Sequence, residues 1–146
     1  MADHVLEHTT IPASPELVRA VLLDFPAYPQ WATDLKSIEV LASDEAGRAT
    51  EVRFRAAGMG RSVSYTLHYD YSEPDRVAWK LVDGDIVSKL DGSYVLTPDP
   101  EGTHVRYELE VELVVPIPGF VKRRTQYRIM HTALTDLTAR TTSLAP

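Results

Sequence analysis

Seven tyrosines stand against three phenylalanines in this chain. Tyr65, Tyr69, Tyr71, Tyr94 and Tyr107 all fall at the inward parity of alternating apolar–polar segments. A buried phenol needs a hydrogen-bond partner, and leaving it unpaired costs about 1–3 kcal/mol. A core built only for packing would do better with Phe or Leu. Either these hydroxyls reach a rim, or they face a cavity holding water or a ligand with polar edges.

A second set lies near the C-terminus, where Arg124, Tyr127 and His131 follow one another at helical spacing. Such a line could hold a ligand's carbonyl or phenol, or move protons as acid and base. The plainer reading puts Arg124 at a flank in water and leaves His131 open between the two. His68 and His104 take the outward parity of their segments and are assigned no role.

Other chemistries find no support. Cysteine is absent, which removes disulfides, thiolate nucleophiles and thiolate metal sites. The five histidines do not cluster and the carboxylates gather on outward positions, so no metal site is expected. There is no G-x-S-x-G elbow and no glycine loop for phosphate; G-M-G at 58–60 reads as a hairpin turn. No residue pattern demands a cofactor. With 21 acidic residues against 15 basic ones the net charge is −6, which argues against nucleic acid as a partner. The start, M-A-D-H-V-L-E-H, is not a signal peptide, and nothing approaches the roughly 20 apolar residues of a membrane span. A soluble cytoplasmic protein is the expectation, and 146 residues suit one domain, 1–146, with a real core.

The elements that would position these side chains can be read from periodicity. Residues 4–11 are rich in β-branched side chains and read as a strand. Ser14-Pro15 offers an N-cap and a proline at the first helical position, and Val18, Val21, Leu22 and Phe25 continue a helix over 14–24. Pro26 and Pro29 stop it, leaving a short turn of helix in 26–33. From there the period is two, giving strands at 35–42, 48–57, 61–71, 76–82, 88–97 and 103–115, with turn residues between them. One wet face and one buried face suit an antiparallel meander. A final helix at 118–142 carries the stripe Met130, Leu134 and Leu137 and would cover the buried face.

T-I-P-A-S-P-E-L-V, D-F-P-A-Y-P-Q-W, D-G-S-Y-V-L-T-P-D-P-E-G-T-H-V-R-Y and the long final helix together resemble the START-like (SRPBCC) superfamily. This is the helix-grip fold of birch-pollen-allergen-like, coenzyme-Q-binding and polyketide cyclase/dehydrase proteins. The resemblance spans nearly the whole chain and marks a fold rather than one reaction. It implies an α+β architecture: a curved seven-stranded antiparallel sheet wrapped around the C-terminal helix, an apolar tunnel between them, and two short N-terminal helices closing one end. Phe25, Tyr28 and Trp31 would then frame a portal, with Pro26 and Pro29 fixing their aim; as plain core caps they would be explained as well. Phe54, Tyr65, Tyr69, Trp79, Tyr94, Tyr107, Tyr127 and His131 are the candidate cavity lining. Related aromatase/cyclases place an arginine in the tunnel; the corresponding strand here, S-V-S-Y-T-L-H-Y-D-Y, has none.

Two functions follow from the resemblance. The first, favoured, is binding or transport of a hydrophobic small molecule such as a lipid, isoprenoid quinone or polyketide. The second is a polyketide cyclase, aromatase or dehydratase acting in the same cavity, for which no catalytic residue can be named. A partner surface is suggested by P-I-P-G-F-V-K-R-R at 116–124. Basic residues in the first turns oppose the helix dipole, so Phe120 ringed by Lys122, Arg123 and Arg124 would suit transient docking on an anionic membrane. Oligomeric state is not legible.

Overall fold

The computed structural model describes residues 3–58, 61–114 and 116–145. Strand β1 (Asp3–Ile11) opens the chain, followed by helix α1 (Pro15–Leu23). Ser14 Oγ accepts from the Leu17 N–H at 3.2 Å and Pro15 occupies the first turn, so the start falls where capping chemistry puts it. Pro26 and Pro29 cannot donate to an α-helical ladder, and Phe25–Gln30 accordingly winds as a 3₁₀ turn.

Six strands follow: β2 (Leu35–Ser43), β3 (Ala49–Gly58), β4 (Arg61–Asp70), β5 (Arg76–Gly84), β6 (Val87–Asp99) and β7 (Gly102–Leu113). They pair in the order β1-β7-β6-β5-β4-β3-β2, all antiparallel, so the chain meanders and β1 returns to close on β7. Gly58 pairs with Arg61 across the expected G-M-G turn, whose Met59 and Gly60 lie outside the described residues. Helix α2 (Gly119–Leu144) ends the fold. Its buried residues Met130, Leu134 and Leu137 join one core with Val105 and Trp79 of the sheet and Val18, Leu22 and Phe25 of the N-terminal segment. α2 is therefore the helix that the sheet's apolar face grips. None of the described helices is long and apolar enough to cross a membrane.

Two glycines shape the sheet. Gly102 sits at φ +139°, and a Cβ there would lie 2.1 Å from the Ile11 carbonyl oxygen, so only glycine lets the β6–β7 turn press against the end of β1. Gly92 stands beside Trp79 in the β5–β6 ladder. A Cβ at this position would meet the Trp79 ring at 2.8 Å and the Glu108 carbonyl at 2.5 Å, so the missing side chain is the space the indole uses. Past Trp79 the β5–β6 pairing stops, and Asp91 Oδ1 accepts the freed Leu81 N–H at 3.0 Å.

Candidate functional site

β1 and α1 pack directly on α2, whereas between α2 and the β2–β7 part of the sheet the structure leaves a cavity of about 270 Å³. Phe54, Tyr65, Tyr69, Trp79, Tyr94 and Tyr107 all contribute to its wall. Each comes from the inward parity of its strand, which is why period two alone brought them together. Their rings form a nearly continuous aromatic surface. Phe54 stacks on Tyr65 at 5.3 Å between centroids, Trp79 lies 5.4 Å from Tyr94, and Tyr94 stacks on Tyr107 at 4.5 Å.

The phenols divide into two groups. Tyr28 donates to the Leu22 carbonyl and Tyr71 to the Ala49 carbonyl, and these hydroxyls are structural. Tyr71 stays out of the cavity, under the Arg48 guanidinium at 4.9 Å. The hydroxyls of Tyr65 and Tyr69 have no protein partner among the described residues, and those of Tyr94 and Tyr107 sit side by side. Neither Tyr65 nor Tyr69 is among the sealed, unpaired side-chain oxygens, which are Gln126 Oε1 and Thr141 Oγ1, so these two phenol oxygens are accessible from the cavity they line. Burial raises the pKa of all four, to about 12 for Tyr107, whose neighbour Tyr94 moderates the rise, and well above the ordinary phenol value for Tyr65, Tyr69 and Tyr94. At neutral pH all four keep their protons, and Tyr65 and Tyr69 are free to donate a hydrogen bond to a ligand oxygen.

The front edge is narrower than a full aromatic portal. Tyr28 and Trp31 line the cavity, their centroids 4.9 Å apart. Phe25 does not: it is 1% exposed and lies in the core, 4.8 Å from Tyr69 and 5.1 Å from Tyr28. Its ring packs behind the cavity wall against Tyr28, Phe54 and Tyr69. Beyond Trp31 the chain is tied to α2, since Thr33 donates from both N (3.0 Å) and Oγ1 (2.9 Å) to Asp136 Oδ2 at the cavity edge.

Tyr127 and His131 fall outside the cavity wall. Both side chains lie on the exposed flank of α2, stacked on each other at 5.8 Å. Each helical residue turns 100°, so with Met130, Leu134 and Leu137 against the core only one flank can reach the cavity. That flank carries Lys122, Thr125, Ile129, Thr132 and Asp136, spaced three and four residues apart. The spacing is visible in sequence, but its mixed chemistry carries no hydrophobic signal. Lys122 is also no free surface cation: its Nζ lies 3.2 Å from Asp3 Oδ2 and its side chain is only 17% exposed. Among the described residues no group of three or more metal-ligating side chains occurs.

A curved antiparallel sheet gripping a C-terminal helix over an apolar cavity defines a START-like ligand-binding fold. The family described as polyketide cyclase/dehydrase and lipid transport matches residues 3–142, and the chain belongs to it. No curated protein matches the chain in sequence. Among solved structures it is similar to a START superfamily protein from Mycobacterium smegmatis, at 25% identity and TM-score 0.91 over 97% of this chain and 99% of that one. A Thermus thermophilus protein superposes at TM-score 0.83 with 26% identity, covering 99% and 100% of the two chains. The Zhui aromatase/cyclase from a Streptomyces species shares the fold at 18% identity and TM-score 0.82, over 97% and 94%.

Proposed function

We propose that residues 1–146 act as one domain that binds a hydrophobic small molecule in this cavity and carries it. The observation that supports this reading is the wall itself, a largely apolar chamber with four phenols. Tyr65 and Tyr69 are unclaimed by protein among the described residues and free to donate hydrogen bonds, while all four, held protonated by burial, are poor bases near neutral pH. A lipid, quinone or polyketide-like ligand with an oxygen acceptor fits it. Cyclase chemistry in the same chamber is the second reading, favoured by one observation: the Asp34 carboxylate lies close enough to Tyr65 to add to its pKa rise. The histidine that would have supplied a base lies on the outer flank of α2.

The carrier reading extends to a docking surface. From Gly119 to His131, α2 holds Lys122, Arg123, Arg124 and Arg128 and no acidic residue, in a chain of net charge −6. Phe120 is 63% exposed and Tyr127 53% exposed beside them. With Lys122 turned to Asp3, Phe120, Arg123, Arg124 and Arg128 would meet an anionic membrane.

Filling the cavity tests binding. Ala133, partly buried in the α2 wall, is replaced by Trp, and the chain is titrated with N-phenylnaphthylamine, whose fluorescence rises on entering an apolar site. The wild type should saturate the signal, and Ala133→Trp should bind at least about tenfold more weakly, a loss of roughly 1.4 kcal/mol. Equal titrations, or no saturable signal in the wild type, would contradict the proposal.

A further inference from the structure

The cavity has a second polar end, away from the tyrosines. Asp3 opens β1 opposite Val111 of β7, and above that pair α2 lowers Lys122 and Gln126, one turn apart, into the cavity wall. Lys122 Nζ and Gln126 Nε2 converge on the same Asp3 Oδ2, at 3.2 Å and 3.4 Å. Gln126 is 5% exposed, and its Oε1 has no hydrogen-bond partner among the described residues. The amide orientation is set by Asp3, since the flipped form would face two oxygens to each other. What remains at this end is an ammonium with spare protons beside an amide oxygen that lacks a donor. Oε1 is sealed from the cavity as it stands, and turning it towards a ligand takes a rotation about the soft sp³–sp² terminal torsion of Gln126. That rotation gives up the long 3.4 Å contact of Nε2 with Asp3, which Lys122 continues to hold.

We propose that Lys122 and Gln126 form a head-group site for a neutral hydroxyl, so that the preferred ligand is an apolar alcohol. The inference rests on the cavity-binding reading and names the chemistry of its ligand. A hydroxyl accepts one hydrogen bond from Lys122 and donates one to Gln126 Oε1, satisfying both with a single atom. A carboxylate has no proton for Oε1 and sets a second negative charge beside Asp3. An ether or ester accepts from Lys122 and leaves Oε1 unpaired. An amine faces the ammonium. From Val111 the inward side of β7 runs through Leu109 to Tyr107, four residues or about 13 Å of apolar wall leading to the phenols. A medium-length alkyl chain spans that distance.

Displacement of bound N-phenylnaphthylamine by dodecanol, dodecanoate and dodecyl methyl ether reads head-group preference at constant chain length. In the wild type dodecanol should displace the dye at concentrations about tenfold lower than either competitor. In Gln126→Met the gap should shrink to about twofold while the ether binds as before, and Lys122→Met should shrink it similarly. Dye binding by each variant reports that it is folded, and if one fails to fold, the wild-type preference and the other variant decide. Equal potency of the three compounds in the wild type, a preference for the carboxylate, or an unchanged gap in a folded variant overturns the head-group site while leaving the cavity reading standing. Failure of all three to displace the dye overturns both.

Discussion

Side-chain choice at single positions separates the chamber from a solid core. Tyr28 and Tyr71 spend their hydroxyls on backbone carbonyls, as structural phenols do. Those of Tyr65 and Tyr69 stay unpaired among the described residues and accessible, and those of Tyr94 and Tyr107 meet each other in the cavity wall. Burial raises the pKa of Tyr28 and of all four cavity phenols, with Tyr107 at about 12. The unfolded value is near 10, so the folded state holds its protons longer than the unfolded state does. Stability is therefore fully present below about pH 10 and is lost as pH climbs towards the folded values. Each phenol contributes a slope of up to about 1.4 kcal/mol per pH unit in that window. Urea unfolding at a series of pH values should show this loss, and Tyr107→Phe should make it shallower. A stability that stays flat to about pH 11 would contradict the assignment of these phenols as buried. The same logic makes Phe25 a core residue: nothing about its ring is left for a ligand, and Phe25→Ala belongs to the class of changes that cost about 3–5 kcal/mol.

At the scale of elements, α2 does three jobs with three flanks. One packs on the core, one walls the cavity, and one presents Phe120, Arg124 and Tyr127 outward. The third flank carries the docking prediction. Co-sedimentation should recover the chain with anionic vesicles and not with neutral ones, less so at high salt. Arg123→Glu with Arg124→Glu should weaken recovery by about tenfold or more, since each cation near headgroups is worth roughly 1 kcal/mol. Equal amounts in the supernatant for both lipids would refute the surface. The strands were legible in sequence because one wet and one dry face print a period of two, and Phe54, Tyr65, Tyr69, Trp79, Tyr94 and Tyr107 followed from it. The buried stripe of α2, Met130, Leu134 and Leu137, was legible too, but which of its flanks faces the cavity was not. Its conspicuous aromatic residues, Phe120 and Tyr127, lie on the exposed flank, so hydrophobicity pointed Tyr127 and His131 towards a cavity that Lys122, Thr125 and Ile129 line instead. Nor could Asp3 be paired with Lys122 from sequence. That contact exists only because β7, at the end of the meander, returns to pair with β1 and sets Val111 opposite Asp3.

For the molecule as a whole, the arrangement is a pleated cup packed solid at one end and hollow at the other. Long ladders tie β1 to β7 and β7 to β6, the latter with a register shift between Val87 and Lys89, and the core of Ile11, Val18, Leu22, Val105 and Leu137 fills the end nearest α1. The other end keeps its volume because Gly92 makes room for Trp79, and because Asp91 rather than a neighbouring strand accepts the Leu81 N–H. Thr33 and Asp136 fasten the front edge across to α2. Such a chamber has only a few polar groups inside, consistent with holding a ligand by its shape and by one or two oxygens. Native mass spectrometry of the chain after gentle purification tests this most directly. A carrier should show a mass above that of the polypeptide, lost on denaturation, or should gain one equivalent of a long-chain alcohol when it is supplied. A bare polypeptide mass that stays unchanged in excess alcohol, fatty acid and quinone would contradict the account.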